Sequence, residues 1–546
     1  MDPGSALQDF LQPLRVDNQT VHTLSRLFYS NFKDLALNAH DQFLPTPISE
    51  SILKPVTQRG HGRHVRPHCP AAAASSLIRS IPKKKNKKKK NPPSGRTNLR
   101  VGFIELSGAE TPPTTAHSSP QTNGTSSTPT LHLKEQAWPI DNALKASSNS
   151  DPQLLFDWIG SCIAPVVRSA LEEWPSLAAE PELPLGITFS FPMVQHSISD
   201  ATVMTMGKGF SIQGDAELGP LLLRGYDKAR SAAGDVQLPP IRIAAISNDS
   251  VSTLISYIFL SSPTTKASMG LIVGTGCNAT IPLNLSLLGG SKQPANISLL
   301  PGESASDVRI AVNTEWSIRG TAPPLRQLKL ITAWDSALDA ALVGPNEITG
   351  FQPLEYMTAG RYLGELGRLM LLDYLKTVLG VNEDSLPSGL LVRYRLTTTF
   401  LSHFKPLHSP ALLPKLESEF PADASSPFTW TEEMATALYH IAKAIELRAA
   451  GIVSAATVAL LRLAGDLPSD GTPSKVPELG VGYTGGCISQ FQDYLADTQM
   501  FLDDIMKLDH DGKLPTRVVL SPCHDGGIKG AGILAAATCV SQKHDM

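Results

Sequence analysis

Cysteine is scarce in this sequence, with six residues in a chain of 546 and no CxxC pair. Such spacing does not predict a disulfide framework, and it favours a reducing compartment. The histidines and cysteines also lack the paired spacing of structural zinc sites, so no protein-held metal is expected. There is no basic N-terminal region followed by an apolar run, and no uninterrupted apolar stretch reaches the ~20 residues of a membrane span. We therefore expect a cytoplasmic protein with no membrane partner.

Acidic residues are absent between Glu50 and Glu105, although this interval holds fourteen lysines and arginines. The net charge of the whole chain is only −3, so nucleic acid is not an expected partner. Lys83–Lys90, KKKNKKKK, fits either a nuclear-localisation signal or a solvated charge run. Because residues 57–93 show no periodicity, we expect a basic, disordered insertion there. Translated intron sequence is the other interpretation of residues 61–93.

Segments with strand character alternate with helical ones through most of the chain, which predicts an α/β protein. TNLRVGFIEL and LHLKEQAWPI are predicted to pair as strands. The Thr/Ser/Pro-rich stretch between them, about 111–130, is predicted to be a mobile loop. Two strand–glycine-loop units lie far apart in the sequence, near residues 274 and 526. They suggest two lobes that close on a nucleotide.

An apolar strand is predicted to end at Asn248-Asp249, where a helix begins. A helix cap is one interpretation, because Asp and Ser are both good N-caps. The other is a carboxylate at the carboxyl end of a core strand, where open α/β sheets place their sites. A carboxylate there could take the proton from a hydroxyl that attacks a phosphate.

Two glycine loops have the composition of phosphate-binding turns. In GTGCNA, Gly274, Thr275 and Gly276 permit a tight turn whose N–H groups face outward, although an ordinary hairpin has the same composition. In HDGGIKGAGILAAA, Gly526 and Gly527 open a helix of small residues. That pattern fits either a nucleotide-binding turn or close helix packing.

A sugar ligand requires several carboxylates and carboxamides, because each sugar hydroxyl both donates and accepts a hydrogen bond. Glu315, in NTEW, and Glu355 supply acceptors. Ser190 follows the strand ITF as a hydroxyl donor, and Lys208 is a cation in a glycine-flanked loop. Taken singly, each of the four is better explained as a solvated residue.

The order of these motifs resembles that of the hexokinase family. LGITFSFP, ISNDSVSTL, MGLIVGTGCNA, VNTEW, GFQPLEYMTAGRYLGEL and DGGIKGAGILAAA stand where that family has LGFTFSYP, NDTVGTL, GTGTNA, NTEW, FEKMISGMYLGE and DGSGVGAAL. The resemblance covers nearly the whole chain, from the N-terminal helix to about residue 538. It implies the two-lobed, actin-like (ribonuclease-H-like) ATPase fold, with the active-site cleft between the lobes.

The resemblance also implies a domain organisation. Residues 1–56 would form a helical segment packed on the large lobe, and 94–247 the small lobe. Residues 248–538 would form the large lobe, whose last helix returns toward the small one.

The implied activity is that of an ATP-dependent hexose kinase, which uses Mg²⁺ with ATP and phosphorylates the 6-hydroxyl of glucose or a related hexose. Asp249 corresponds to the catalytic base. The sugar-binding set that the family implies is Ser190, Lys208, Asn248, Asn278, Glu315 and Glu355. The ATP-binding set that it implies is Thr97, Asn98, Arg100, Gly274, Thr275, Gly276, Gly526 and Gly527.

The first phosphate motif departs from the family pattern. The family strand LDLGGTN(F/L)R corresponds to PPSGRTNLR at 92–100, with Pro93 at the aspartate and Arg96 at the second glycine. Proline cannot donate to a central sheet ladder, and a Cβ obstructs a backbone that approaches phosphate. Gly207 and Thr484 replace a family threonine and aspartate. The alternative function is therefore a catalytically impaired, sugar-binding regulatory protein.

Overall fold

Two sheets organise the chain in the computed structural model. The described residues are 3–54, 72–78, 98–107, 130–141, 143–145, 151–204, 216–232, 237–262, 264–342, 348–407, 409–424, 426–468, 472, 474 and 476–542. The strands are β1 Leu44–Ser49, β2 Ala72–Ile78, β3 Asn98–Ser107, β4 Thr130–Pro139, β5 Leu183–Phe189, β6 Met193–Val194, β7 Thr202–Val203, β8 Ile241–Asn248, β9 Lys266–Val273, β10 Cys277–Asn284, β11 Arg309–Asn313, β12 Glu478–Thr484 and β13 Arg517–Pro522.

Helices cover both sheets, as expected for an α/β protein. They are α1 Pro3–Leu11, α2 Asn18–Asn38, α3 Glu50–Leu53, α4 Pro152–Glu173, α5 Leu218–Ser231, α6 Asp249–Leu260, α7 Ala322–Gln327, α8 Ala333–Ala340, α9 Pro353–Thr358, α10 Leu363–Asp373, α11 Ser388–Leu391, α12 Thr398–His403, α13 Leu412–Glu419, α14 Glu432–Leu463, α15 Gly486–Gln490, α16 Tyr494–Asp509 and α17 Gly526–Gln542.

The small sheet has the strand order β4-β3-β2-β5-β8. Its antiparallel β3–β4 pair confirms the predicted pairing of TNLRVGFIEL with LHLKEQAWPI. Its central strand is β2, which pairs antiparallel with β3 and parallel with β5. The prediction of disorder over 57–93 is therefore wrong for Ala72–Ile78. Because AAASSLI has little β propensity of its own, this strand forms through its pairing with β3 and β5.

The position of β2 also corrects the interpretation of the first phosphate motif. The prolines of 92–93 were expected to interrupt the central strand of the small sheet, but Ala72–Ile78 form that strand. Ile78 pairs with Asn98 at the start of β3, so residues 79–97 connect two paired strands. Thr97, Pro93 and Arg96 fall in this connection, outside the described residues.

The large sheet has the strand order β1-β11-β10-β9-β12-β13. Antiparallel pairing of β1 with β11 fixes the N-terminal segment to this lobe. Helix α2 begins where the Asp17 carboxylate accepts a hydrogen bond from the Thr20 N–H at 2.7 Å. Its buried face, which includes Phe28 and Phe32, packs into the same core as α14.

Two helices, α4 and α14, are long and apolar enough to cross a membrane. Length and composition are weak criteria here, because the core helix of a soluble protein passes the same test. The most apolar window of α14 is 89% buried inside the fold, and that of α4 is 56% buried. Packing in the two lobes therefore explains their apolar character.

Two helices connect the lobes and cross each other. Helix α6 links β8 of the small sheet to β9 of the large sheet, and α17 runs from β13 back against the small sheet. We call this contact the hinge crossing. A Cβ on Gly530 of α17 would lie 2.0 Å from the Ser252 carbonyl oxygen of α6. A Cβ on Gly186 of β5 would lie equally close to the Ala531 carbonyl oxygen.

Buried hydroxyls join the elements at the hinge crossing. The Ser252 hydroxyl lies 2.5 Å from the Thr188 hydroxyl of β5 and 2.7 Å from the Ser247 hydroxyl of β8. Thr188 also donates to the Gly527 carbonyl oxygen at 3.1 Å. Strand β5 is thus hydrogen-bonded to both crossing helices, and β8 is hydrogen-bonded to α6, through buried hydroxyls.

Gly530→Ala tests this packing. Because the new methyl group would overlap the α6 backbone, we expect the free energy of unfolding to fall by about 1–3 kcal/mol. Gly290→Ala is the matched control, since a Cβ there meets nothing within 4 Å. Urea unfolding of both variants measures the difference, and equal stability would contradict a close-packed crossing.

Candidate active site

Two carboxamides and a carboxylate at the candidate site are hydrogen-bonded to one another. The Asn278 side-chain amide of β10 donates to Asn313 Oδ1 at 2.9 Å and to Glu315 Oε1 at 3.2 Å. The Asn313 amide donates to the same Glu315 oxygen at 2.8 Å. Asn278 Oδ1 accepts from the Ala279 N–H at 2.8 Å. The three side chains are held in one orientation without an external ligand.

The backbone at Glu315 is strained, with φ of +44°. A non-glycine residue in this region costs about 1–3 kcal/mol and persists only where its surroundings enforce it. Here the Gln42 amide donates to the Glu315 carbonyl oxygen at 2.9 Å, and the Thr314 hydroxyl donates to the Ala279 carbonyl oxygen at 2.9 Å. Gln42, from the N-terminal segment, therefore helps to position a carboxylate of the large lobe.

The junction between β8 and α6 reaches the same cluster. Asn248 Oδ1 accepts from the Ser250 N–H at 2.9 Å, so a helix cap is present as predicted, but it is formed by Asn248 and not by Asp249 or a serine. Its amide donates to the Phe191 carbonyl oxygen at 3.3 Å. The Ser250 hydroxyl lies 2.7 Å from the Thr280 hydroxyl and 3.3 Å from Asn313 Oδ1. One chain of hydrogen bonds thus runs from the end of β8 to the carboxamide pair.

Asp249 is the first residue of α6 and is half-buried. The N-terminus of a helix favours a negatively charged side chain. Through its neighbours Asn248 and Ser250, Asp249 is fixed to the Asn278–Asn313–Glu315 cluster. Ser190 lies at the end of β5, next to β8 in the small sheet, and is half-buried. Lys208 lies outside the described residues.

The turn between β9 and β10 offers free backbone donors. The Gly274 N–H donates across the turn to the Gly276 carbonyl oxygen at 2.9 Å. The N–H groups of Thr275 and Gly276 donate to no group in the described part of the chain. The Gly360 N–H holds the Gly274 carbonyl oxygen at 2.8 Å. The turn is therefore a rigid hairpin with two available donors.

Glu355, on α9, lies directly behind this turn. It accepts from the Cys277 N–H at 3.4 Å. A Cβ on Gly276 would lie 3.3 Å from Glu355 Oε2, so the glycine is required for the close approach. The structure thus brings Glu355 to the backbone of the residue next to Asn278.

A second glycine turn abuts the first, and the sequence analysis did not select it. Gly485, at the end of β12, has φ of +127°, and a Cβ on it would lie 2.1 Å from the Val273 carbonyl oxygen. A Cβ on Gly274 would lie 3.5 Å from the Gly485 Cα. The dipeptide Gly485-Gly486 was the available signal, but proximity to Gly274 requires the parallel β9–β12 pairing.

Arg100, predicted to bind ATP, lies between two carboxylates. Its Nη2 pairs with Glu135 of β4 and, at 2.8 Å, with Asp525, which directly precedes Gly526 and Gly527. Only 8% of the arginine is exposed. The structure therefore places Arg100 beside the predicted nucleotide-binding turn at Gly526 and Gly527, and the contact joins the small sheet to the loop before α17. Asn98 begins β3, two residues before Arg100.

Family comparisons agree with this geometry. Two models described as hexokinase match residues 94–259 and 268–537. The chain belongs to the hexokinase family. Hexokinase-5 of Oryza sativa subsp. japonica is 29% identical over 388 residues, which span 70% of this chain and 69% of that protein. The hexokinase of Kluyveromyces lactis is 29% identical over 282 residues, or 51% of this chain and 48% of the relative.

Solved hexokinase structures share the fold. A Schistosoma mansoni hexokinase complexed with glucose has a TM-score of 0.66 at 21% identity and covers 98% of this chain and 100% of its own. A second hexokinase crystal structure has a TM-score of 0.63 at 19% identity, with 98% and 99% coverage. The two-lobed actin-like ATPase fold predicted from the motif order is confirmed.

A buried carboxyl group lies behind the second glycine turn. Glu446 of α14 is fully buried, and its Oε1 has no hydrogen-bond partner in the described part of the chain. Burial raises the pKa of Glu446 to about 8, although the Lys443 ammonium lies 2.7 Å from Oε2. Burial likewise raises the pKa of the nearby Cys487 thiol, which follows Gly486. This side of the turn disfavours negative charge.

Asn278→Asp tests the carboxamide cluster. The substitution removes two donated hydrogen bonds and places a second carboxylate beside Glu315. We expect a loss of about 1–3 kcal/mol in the free energy of unfolding at neutral pH. Acidification should shrink this loss, because protonation of either carboxylate ends the repulsion. Asn296→Asp, at an exposed position, is the control in urea unfolding at several pH values. A pH-independent loss would contradict the predicted charge repulsion.

Glu446→Gln tests the buried carboxyl group. The folded-state pKa of about 8 exceeds the unfolded value of about 4.3, so the wild-type fold binds the extra proton. The contribution of protonated Glu446 to the free energy of unfolding is fully present below about pH 4.5 and declines as the pH rises toward 8. We expect the stability of the variant relative to the wild type to rise by up to about 5 kcal/mol between those limits, since one pKa unit corresponds to about 1.4 kcal/mol. Unfolding against pH, with exposed Glu417→Gln as control, checks this, and parallel curves would refute it.

Proposed function

We propose that this chain is an ATP-dependent hexose kinase, which transfers the γ-phosphate of ATP to the 6-hydroxyl of a hexose, with glucose as the preferred substrate. The observation that carries the proposal is a chain of hydrogen bonds: the Ser250 N–H donates to Asn248 Oδ1, the Ser250 hydroxyl lies 3.3 Å from Asn313 Oδ1, and Asn313 is bonded to Asn278 and Glu315. These bonds hold carboxamide and carboxylate groups suited to sugar hydroxyls beside the helix that begins with Asp249.

The chemistry of the set suits a hexose. Glu315 and Glu355 supply acceptors for sugar hydroxyls, and Asn278 and Asn313 supply both donor and acceptor capacity. Because these side chains are already oriented by one another, a sugar would lose little free energy in ordering them. The solved Schistosoma mansoni relative is complexed with glucose, which supports glucose here.

The two adjoining turns suit a nucleotide. The N–H groups of Thr275 and Gly276 are available donors. The two turns meet at glycines, Gly274 and Gly485, so no side chain stands between them. Such donors bind phosphate oxygens. We propose that Arg100, which lies beside Gly526 and Gly527, contacts a part of ATP further from the Gly274–Gly276 turn.

Mg²⁺ is proposed to enter with ATP. Among the described residues, no group of three or more His, Cys, Asp or Glu could hold a metal ion. This fits Mg²⁺, which kinases usually hold through one or two carboxylates together with substrate phosphates. When bound, Mg²⁺ would neutralise charge on the phosphates.

Asp249 is proposed as the general base that accepts the proton from the 6-hydroxyl. Its place at the N-terminus of α6 favours the ionised carboxylate that this role requires. Since α6 joins the two sheets, closure of the lobes would carry this carboxylate with the hinge. Closure would also exclude water, which competes with the sugar as phosphoryl acceptor.

A cytoplasmic location is also proposed. It is supported by Cys162, Cys277, Cys487 and Cys523, which are buried free thiols. Microscopy of a fluorescent fusion would test the location.

Asp249→Asn tests the proposed base. Asparagine keeps the size of the side chain, and the helix cap is Asn248, so we expect the fold to persist while the sugar-dependent turnover number falls about 10²- to 10⁴-fold. A coupled assay of ADP release with glucose and Mg-ATP measures turnover. Asp227→Asn, on the exposed face of α5, is the control and should leave turnover unchanged.

Calorimetry separates the proposal from its alternative. An active kinase should bind glucose and Mg-ATP, and the base variant should still bind glucose. Glucose binding without ATP binding or turnover would instead identify a sugar-binding regulatory protein. Failure of the folded wild type to bind either ligand would exclude both functions.

A further inference from the structure

The turn that follows β11 is held by the N-terminal segment of the chain. The antiparallel pairing of β1 with β11 reaches Asn313. Beyond it, the Phe43 N–H donates to the Thr314 carbonyl oxygen at 3.1 Å. The Gln42 side-chain amide donates to the next carbonyl oxygen, that of Glu315, at 2.9 Å. The contact between the two segments therefore continues past the sheet and reaches Glu315.

These two hydrogen bonds hold the peptide groups on either side of the Glu315 Cα. The orientations of those two groups define φ and ψ of Glu315, the only soft dihedral angles of its backbone. The Ile318 N–H also donates to the Glu315 carbonyl oxygen, at 3.4 Å, so Gln42 makes the shorter of the two bonds. Gln42 therefore helps to fix the positive φ of Glu315, a conformation that persists only where its surroundings enforce it.

The backbone of Glu315 in turn directs its side chain. Glu315 Oε1 accepts from the Asn278 amide at 3.2 Å and from the Asn313 amide at 2.8 Å. A change of φ would swing the Cα–Cβ bond and carry the carboxylate away from these amides. The carboxylate is thus positioned from two sides, by the two amides at its oxygen and by Gln42 at its backbone.

Stability alone does not account for a glutamine at position 42. Its side chain is fully buried, and Oε1 has no hydrogen-bond partner in the described part of the chain. A buried acceptor without a partner is destabilising, and an apolar side chain of similar size would avoid that cost. The fold also makes room for this oxygen, since a Cβ on Gly320 would lie 1.9 Å from it. What the amide provides is its donated hydrogen bonds, to the Glu315 carbonyl oxygen and, at 3.3 Å, to the Thr321 hydroxyl.

We propose that Gln42 is a positioning residue for hexose binding: by holding the peptide group that follows Glu315, it presents the Glu315 carboxylate to the sugar. The inference rests on the proposed function, in which Glu315 accepts from a sugar hydroxyl. Gln42 belongs to none of the motifs from which the sugar-binding set was drawn. Without its amide, Glu315 can relax from the positive φ, and the carboxylate leaves the position fixed by Asn278 and Asn313. Relief of backbone strain offsets part of the lost hydrogen bonding, so the fold persists while the affinity for sugar falls.

Calorimetry of the full chain with glucose tests Gln42→Leu, which removes the amide and keeps a side chain of similar volume. We expect the dissociation constant of glucose to rise about tenfold, since a displaced carboxylate no longer meets its sugar hydroxyl. Gln19→Leu is the matched control, because Gln19 is exposed on α2, and it should bind glucose within about twofold of the wild type. Gln42→Met, with an unbranched side chain, is the second variant, and circular dichroism checks the folding of each.

The kinetic constants distinguish positioning from a general loss of structure. Glu315 is proposed to contact the sugar and not the phosphates, so the KM for glucose should rise about tenfold in Gln42→Leu. The KM for ATP and the turnover number should stay within about threefold of the wild-type values. Equal losses in all three constants would show a general disturbance of the site and would overturn the positioning role.

A double-mutant cycle shows whether Gln42 acts through the carboxylate. Glu315→Ala removes that carboxylate, so adding Gln42→Leu to it should change the glucose affinity less than about twofold, with glucose raised until the variant saturates. Multiplication of the two effects would overturn the proposal, as would equal glucose affinity in the wild type and Gln42→Leu. If neither Gln42 variant folds, the residue is structural and the proposal is wrong. A folded wild type that binds no glucose would instead refute the proposed function itself, so the two failures are distinguishable.

Discussion

The contact between Gly530 and the backbone of Ser252 is the constraint on which the arrangement of both lobes depends. With no Cβ on Gly530, α17 crosses α6 at backbone distance, and the Ser252 hydroxyl remains free to bond Thr188 and Ser247. A larger residue would separate the helices and break these bonds together. The close packing at Gly530 and the hydrogen bonds of the buried hydroxyls thus depend on each other, as expected where two helices cross within a core.

The crossing also determines where chemistry can occur. Asp249 begins α6 and Gly526 begins α17, so the two helix N-termini are brought close to each other. Their positive ends favour anions, one as the Asp249 carboxylate and the other as Asp525 or a ligand. The turn at Gly274–Gly276 belongs to the large sheet, and β9, which precedes it, packs against α6. The carboxylates proposed to bind sugar, the proposed base and the proposed phosphate-binding turn are therefore held by the same packed elements.

Motif order along the chain was enough to predict the fold and to select Asn278, Glu315 and Glu355 before their contacts were known. It failed where tertiary context decides. Strand β2 has neither alternation nor β-branched residues before Ile78, so only the hydrogen bonds of β3 and β5 define it. Gln42 acts on Glu315 from 273 residues away. Local sequence cannot predict such a contact. It cannot predict the positive φ of Glu315 either, because the surrounding hydrogen bonds enforce that conformation.

Arg100 shows how a structural ion pair and a ligand role can coexist. Both carboxylates, Glu135 and Asp525, are bound through the single Nη2 atom. The guanidinium has five N–H donors, and its Nη1 and Nε groups bond no described residue. Removing either carboxylate would leave a buried charge poorly compensated, at a cost of several kcal/mol. The pair therefore orients the arginine between β3 and the loop before α17. The proposed nucleotide role of Arg100 would therefore have to act through donors other than those of Nη2.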